Sequence, residues 1–408
     1  MAFGKLWVIA YRDLMRNRRR SFFTLIAVAL GLALLIFVNG MIAGIINDGL
    51  QNTIRLQTGH VQVRRDTYEE QKVSLQWDEL LDNADELAAQ ALALPQVKAA
   101  APVLWATGVL NTADDSAGLR LYGIDTESAL YTPIQESLVA GSYLAADDRD
   151  GILIGRRLAD SLGITAGQRV NISVVNADGQ PDEALFTVRG VFFTGVPTYD
   201  ENSLFMPLSK AQALTRTDGH ASALVVLLNQ QKDADAVAAA LQSPGNVGLT
   251  WEDLNRTLLD TMQTAMAFYV IIDAIVILVV AVIIANTLLM AVFERIREMG
   301  ILAALGMKRG QIMSMFVLEA AILGLVGVAI GIGIGSALVA YFGVNGIDIG
   351  DVGAATQGIA ISTSMRTQFV PDTFAWLSVA TLVIILLASL YPAWFAARME
   401  PVDALHSR

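Results

Sequence analysis

Residues 286–320 read NTLLMAVFERIREMGILAALGMKRGQIMSMFVLEA. An apolar run ends at Phe293, a compact set of charges follows, and a second apolar run begins near Gln311. Glu294, Arg295, Arg297 and Glu298 fall within about one and a half helical turns. Ile301, Leu302 and Leu305 then supply an apolar side, with Gly300 among them, and Gly306 marks a helix stop. The spacing predicts a short structured helix over 294–310. Two readings of its apolar side stand open: a face that docks a partner, or a face that lies on a membrane surface.

Working outward, 54% of the 408 residues are hydrophobic. The mean hydropathy of +0.50 exceeds that of an ordinary soluble protein. The apolar residues gather into runs at 22–46, 262–293, 311–344 and 373–397. Each exceeds the roughly 20 residues that cross a bilayer. Only Asp273 interrupts the second and only Glu319 the third. Transmembrane helices are therefore expected at 21–46, 266–293, 311–344 and 373–397. The first run is longer than the roughly 7–15 residues of a cleaved signal's apolar core, so it is expected to stay as an anchor.

Lys5, Arg12, Arg16, Arg18, Arg19 and Arg20 precede the first run, and Arg295, Arg297, Lys308 and Arg309 lie between the second and third. Between the third and fourth, Arg366 stands alone against Asp348, Asp351 and Asp372. Because basic residues are retained on the cytoplasmic side, both termini and 294–310 are expected there. That makes residues 1–20 an interfacial elbow helix and 398–408 a cytoplasmic tail. Residues 47–265 become an extracytoplasmic domain and 345–372 a shorter outer loop.

Residues 47–265 hold 29 acidic and 15 basic side chains, against a net charge of −11 for the whole chain. A domain this acidic is a poor partner for nucleic acid or anionic lipid. Strand-like 60–65, a helix at 78–94 and strand-like 99–110 are echoed by 221–228, 233–241 and 246–251. The pattern predicts one split α+β subdomain from 47–113 plus 208–265, interrupted by a β-rich insertion at 114–207. Short strands are expected there at 118–124, 151–154, 169–175 and 185–193.

Chemistry is sparse. Cysteine is absent, so disulfides and thiolate sites are excluded. The phosphate-binding pattern G-x-x-x-x-G-K-[ST], H-E-x-x-H and G-x-S-x-G are all missing, and His60, His220 and His406 are scattered. No catalytic, cofactor or metal site is expected in this chain. Gly324, Gly327, Gly331 and Gly335 share one helix face, which allows another helix close. That face could pack within the chain or against a second copy. Glu319 is an intramembrane acid about two turns from the cytoplasmic face, within reach of Arg295 or Arg309. Asp273 falls near the outer boundary, where water is at hand.

These blocks resemble a known family, the permease subunits of the MacB/LolC-LolE/FtsX superfamily of ABC transporters, also called type VII or mechanotransmission transporters. NTLLMAVFERIREMGILAALG with the Glu of FVLEA is similar to the family's coupling segment, with Ala303 where a basic residue is common. The C-terminal motif carried by Tyr391, Pro392, Arg398, Pro401 and Leu405 is similar to the family's Y-P-A…P-x-x-A-L. GILIGRRLADSLGITAGQRVNIS and FTVRGVFFTGVPTYDENSLFMPLSKAQAL resemble its ectodomain. The resemblance implies a polytopic α-helical membrane protein of the bacterial inner membrane. It would carry four transmembrane helices and a large α+β extracytoplasmic domain, a split ferredoxin-like subdomain with a β-rich insertion. It also implies a cytoplasmic ABC ATPase dimer that brings ATP and Mg, contacted through Glu294, Arg295, Arg297, Glu298, Gly300, Leu302, Leu305 and Gly306. A second permease subunit, identical or homologous, completes the assembly. The block at 186–214 looks most like the lipoprotein-releasing LolC/LolE branch, which implies a lipoprotein or amphipathic substrate. Drug or peptide efflux of the MacB type, with a periplasmic adaptor, and FtsX-like signalling to a cell-wall hydrolase are the competing readings.

Overall fold

The computed structural model describes residues 3–69, 72–148, 150–348 and 361–398. The chain divides into two compact units, one before Ile45, from Met262 to Ile347 and from Arg366 onward, the other from Ile46 to Thr261 with a short piece of the 348–365 segment. The divisions near 45 and 262 fall inside long helices.

The first unit is helical. An elbow helix, Phe3–Arg16, is followed directly by a first long helix, Arg18–Thr53. A second long helix runs Arg256–Glu294, a short helix Ile296–Ala304, a third long helix Arg309–Asn345 and a fourth Pro371–Arg398. All four long helices are long and apolar enough to cross a membrane. The second has 39 residues, well beyond the roughly 20 a bilayer needs. The first and second helices outrun the apolar runs at 22–46 and 262–293. Asn47–Thr53 and Arg256–Thr261 are polar yet helical, because backbone pairing does not end where hydropathy does. Leu32, Ile36, Ile284, Ala320 and Ile385 are central to the core between the long helices.

In the second unit the strands are β1 (Val61–Arg65), β2 (Val97–Asn111), β3 (Ser116–Ile124), β4 (Leu138–Gly141) and β5 (Gly151–Gly155). Then come β6 (Arg169–Val175), β7 (Pro181–Phe192), β8 (Ser203–Pro207), β9 (Ala223–Leu228) and β10 (Asn246–Thr250). They share one hydrogen-bonded network in two parts. The order β10–β1–β9–β2 is antiparallel throughout. Helix Ala84–Leu92 joins β1 to β2 and Ala234–Leu241 joins β9 to β10. This is the fourth-first-third-second order of a split βαβ pair, the ferredoxin-like arrangement. The second part closes on itself, because β2 pairs β3, β3 pairs β8, β8 pairs β5, β5 pairs β7, β7 pairs β6 and β6 returns to β2. The insertion is thus a six-stranded barrel with no free edge in the ring.

The insertion does not begin at 114. Val97–Val103 pairs β9, whereas Val103–Asn111 pairs β3, so one 15-residue strand serves both parts. Strand alternation explains how β9 also serves both. Ala223 and Val225 enter the barrel-side core with Phe192, Phe205 and Leu121. Leu224, Val226 and Leu228 enter the other core, with Leu87, Val237 and Leu241. The helix expected over 78–94 is shorter. Leu81 pairs with Ala221 in an isolated bridge, and regular helix starts only at Ala84.

Candidate functional site: a clamped short helix

The second long helix breaks at Arg295, whose backbone leaves helical geometry (φ −118°, ψ 15°). Helix Ile296–Ala304 follows and ends at Gly306, whose φ of +88° is a conformation that side chains resist. Gly306 N donates to Ala303 O at 3.0 Å and Met307 N to Leu302 O at 3.1 Å, which closes the turn. Lys308 N donates to Gln311 Oε1 at 3.0 Å as the third long helix begins.

One side of this short helix is internal. Met299 is buried with Ala291, Val292, Ile312, Phe316 and Ala393, and Gly300 is buried beside it. The other side is open: Arg297 is exposed, Ile301 is 47% exposed and Leu305 80%. The expected apolar side is therefore divided. Met299 supplies the inward contact, Leu302 is half-buried, and Ile301 and Leu305 face outward.

Charge fixes the helix from behind. Arg16 of the elbow helix donates to both carboxylate oxygens of Glu298, each at 2.7 Å. Both bonds come from Nη2, and a hydrogen bond between two charged groups is shorter and stronger than a neutral one. The Arg16 hydrogen bond holds the Glu298 carboxyl below its usual range. Arg20 reaches Glu294 at 3.0 Å and Glu319 at 3.1 Å. Arg295, its side chain only 5% exposed, pairs with Asp13 and lies 3.3 Å from Glu298 and 3.6 Å from Glu319. Elbow helix, short helix and third long helix are joined through one hub.

Arg295 thus differs from the other coupling residues expected at 294–306. Burial removes it from any outer surface, and its role is internal. Glu319 finds Arg20 and Arg295, whereas Arg309 is exposed and no ion pair links it to Glu319 among the described residues. Arg20 was not foreseen because 299 residues separate it from Glu319. The available signal was depth, since Arg20 is the last charge before its apolar run as Glu319 is the first after Arg309. A carboxylate at mid-bilayer costs about 2.5–3.5 kcal/mol on insertion scales, an upper bound for Glu319, and two guanidinium groups offset the cost. Asp273 is half-buried, and Asn39 Nδ2 donates to its two oxygens at 3.1 and 3.2 Å.

The glycine face packs within the chain. A Cβ on Gly327 would lie 2.7 Å from Val28, on Gly331 2.9 Å from the Ala29 carbonyl, and on Gly335 2.8 Å from Ile36, all on the first long helix. Gly324 faces Ile385 and Leu382 of the fourth. The stripe is occupied without a second copy. In the C-terminal motif Tyr391 is 61% exposed, Pro392 is buried, and the Arg398 guanidinium sits 4.4 Å above the Trp394 ring. Pro401 and Leu405 lie outside the described residues. Among the described residues no His, Asp and Glu cluster could hold a metal ion.

Four apolar helices, a clamped helix between two of them and a large mixed domain between the first two define a multi-pass permease subunit. Residues 21–243 match the MacB-like periplasmic core domain and residues 270–401 the FtsX-like permease C-terminal domain. The chain belongs to this MacB/FtsX-type family of ABC transporter permeases. It is 26% identical to the lipoprotein-releasing system transmembrane protein LolC of Neisseria meningitidis, over 96% of this chain and 95% of that protein. A LolC of Xylella fastidiosa is 21% identical over 97% of each. The macrolide export ATP-binding/permease protein MacB of Neisseria gonorrhoeae is 21% identical over 99% of this chain and 61% of its own length. Among solved structures, the periplasmic region of MacB from Actinobacillus actinomycetemcomitans aligns with a TM-score of 0.35 and 14% identity, over 51% of this chain and 97% of that one.

Proposed function

We propose that this permease subunit receives motion from a separate cytoplasmic ATPase and uses it to release a lipoprotein or similar amphipathic substrate from the outer leaflet of the inner membrane. The observation that carries the input end is the open side of helix Ile296–Ala304. Arg297, Ile301 and Leu305 face outward there, on a helix held from behind by Arg16, Arg295 and Glu319. An exposed Leu beside exposed charge suits a small docking surface, and rigid backing lets a push on it move the attached helices. In this reading 294–310 and both termini are cytoplasmic, the ATPase pair brings ATP and Mg, and a second permease subunit completes the assembly. The near-complete overlap with lipoprotein-releasing LolC proteins favours lipoprotein over drug efflux.

The test replaces Arg297 with Ala and Leu305 with Asp, then measures ATPase association and hydrolysis in the co-purified complex. Loss of association is expected with the chain still folded. Normal assembly and hydrolysis in both variants would end the coupling assignment. For the substrate, a hydrolysis-dead complex should retain acylated protein, and its absence would count against lipoprotein release.

A further inference from the structure

The second unit contains a groove of about 490 Å³, within the roughly 300–1,000 Å³ of small-molecule sites. It lies where the open sheet meets the barrel. Leu130, Pro133 and Leu227 form half-buried apolar walls over a buried floor that includes Trp105 of β2 and Val225 of β9. A further wall is Ile54–Thr58, a single π-helical turn at the end of the first long helix. Such turns are rare and gather at functional sites, because they carry a mispaired backbone that must be held. Here the holding group is Tyr199, buried in the barrel, whose hydroxyl donates to Leu56 O at 2.8 Å.

The polar lining is mainly cationic or proton-donating. Arg55 and Lys98 are exposed at the groove, and neither side chain makes an ion pair or hydrogen bond among the described residues. His60 Nδ1 accepts from Leu228 N at 2.9 Å, so the neutral ring carries its proton on Nε2, a donor. Glu136 is the one carboxylate lining it. The surrounding domain holds 29 acids against 15 bases, so these cations stand out locally. Apolar walls with a cationic rim complement an apolar body that carries a negative head.

We propose that this groove binds an anionic single-chain amphiphile, its acyl chain against Leu130, Pro133 and Leu227 and its headgroup at Arg55 and Lys98. The assignment shares only its ligand class with the function proposed above and needs no ATPase.

The chain has no native cysteine, so Thr132→Cys on the groove wall accepts one environment-sensitive fluorophore on the full-length protein. The labelled protein, without ATPase, is placed in phosphatidylcholine nanodiscs and titrated with lysophosphatidylglycerol. A saturable blue shift is expected, at least tenfold weaker with lysophosphatidylcholine and at least tenfold weaker in Arg55→Gln/Lys98→Gln. A control label at Asp114→Cys, on an exposed turn, should not respond. Equal response to both lipids, unchanged affinity in the double variant, or no saturable signal would each overturn the site. The lipid comparison stands even if the double variant misfolds. Failure here with intact ATPase coupling rejects the groove alone.

Discussion

Arg295 and Glu319 face each other with Nη1 and Oε2 3.6 Å apart, and neither side chain is more than 5% exposed. The pair is too long for a hydrogen bond, and among the described residues these two atoms have no hydrogen-bond partner. Breaking a buried pair from one side strands a charge and costs about 3–5 kcal/mol, whereas apolar replacement of both is often near neutral. Arg295→Met should therefore lower the thermal unfolding midpoint in detergent strongly. Arg295→Met/Glu319→Met should recover only the part of that loss owed to Glu319, because Asp13 is still left without Arg295. A double variant as weak as the sum of its single changes would show that the two residues act independently.

Arg16 and Glu298 make a geometrically better contact at a poorer place. Both side chains are about half exposed, so the pair contributes no more than about 1 kcal/mol. Hydrogen bonding to Arg16 depresses the Glu298 pKa in the folded chain. Folding then binds fewer protons at this site. Its contribution is present above the ordinary Glu value of 4.5 and is lost as pH falls through the depressed folded value. Glu298→Gln should be slightly less stable than wild type at neutral pH, and the gap should close in acid. Thermal unfolding of both proteins across that range measures it, and a gap that widens in acid would exclude the pairing.

Two neighbouring glycines separate packing from propensity. A Cβ on Gly331 meets the Ala29 carbonyl at 2.9 Å and Leu32 Cβ at 3.0 Å, while one on Gly333 meets nothing within 4 Å. Gly331→Ala should cost about 1–3 kcal/mol through overpacking. Gly333→Ala should be neutral or stabilise by up to about 1 kcal/mol, since Ala is the better helix former. Thermal unfolding of the isolated chain distinguishes them. Equal effects would mean that the close approach to the first long helix is absent.

What the sequence made legible was local or periodic. The four apolar runs, the break at Gly306 and the repeated strand-helix-strand halves all reflect patterns within about fifty residues or fewer. The missing features depend on distant partners. Arg20 belongs to Glu319 only once the first and third long helices are side by side. The Gly324–Gly335 face declares that something comes close, but Val28 and Ile36 cannot be read as the neighbours from spacing. β8 is five buried residues ending in Pro207, too short and too uniformly apolar or small to show alternation. Closure of the barrel by β6 on Gly108–Asn111 of β2 follows from strand lengths and register, which hydropathy does not encode.

Asp200 gives the pH effect opposite to that of Glu298, in the other unit. It is fully buried and accepts from Thr194 N at 2.9 Å, Thr194 Oγ1 at 2.8 Å and Gly195 N at 3.1 Å. Burial raises its pKa, only partly opposed by these donors. The folded domain therefore binds a proton at this site more readily than the unfolded chain does. The stability that this proton contributes is full below the ordinary Asp value of 3.8 and is lost as pH rises through the folded pKa. Above that value the charged group is retained because the donors it satisfies would otherwise be buried unpaired, at about 1–3 kcal/mol each. Asp200→Ala should then destabilise the domain by about 2 kcal/mol or more at neutral pH. Asp200→Asn, which keeps one acceptor oxygen for Thr194, should lose less and should flatten the acid side of the stability profile. Denaturant unfolding of the two variants and wild type at several pH values checks both points, and an Asn variant with an unchanged profile would show that Asp200 does not titrate with folding.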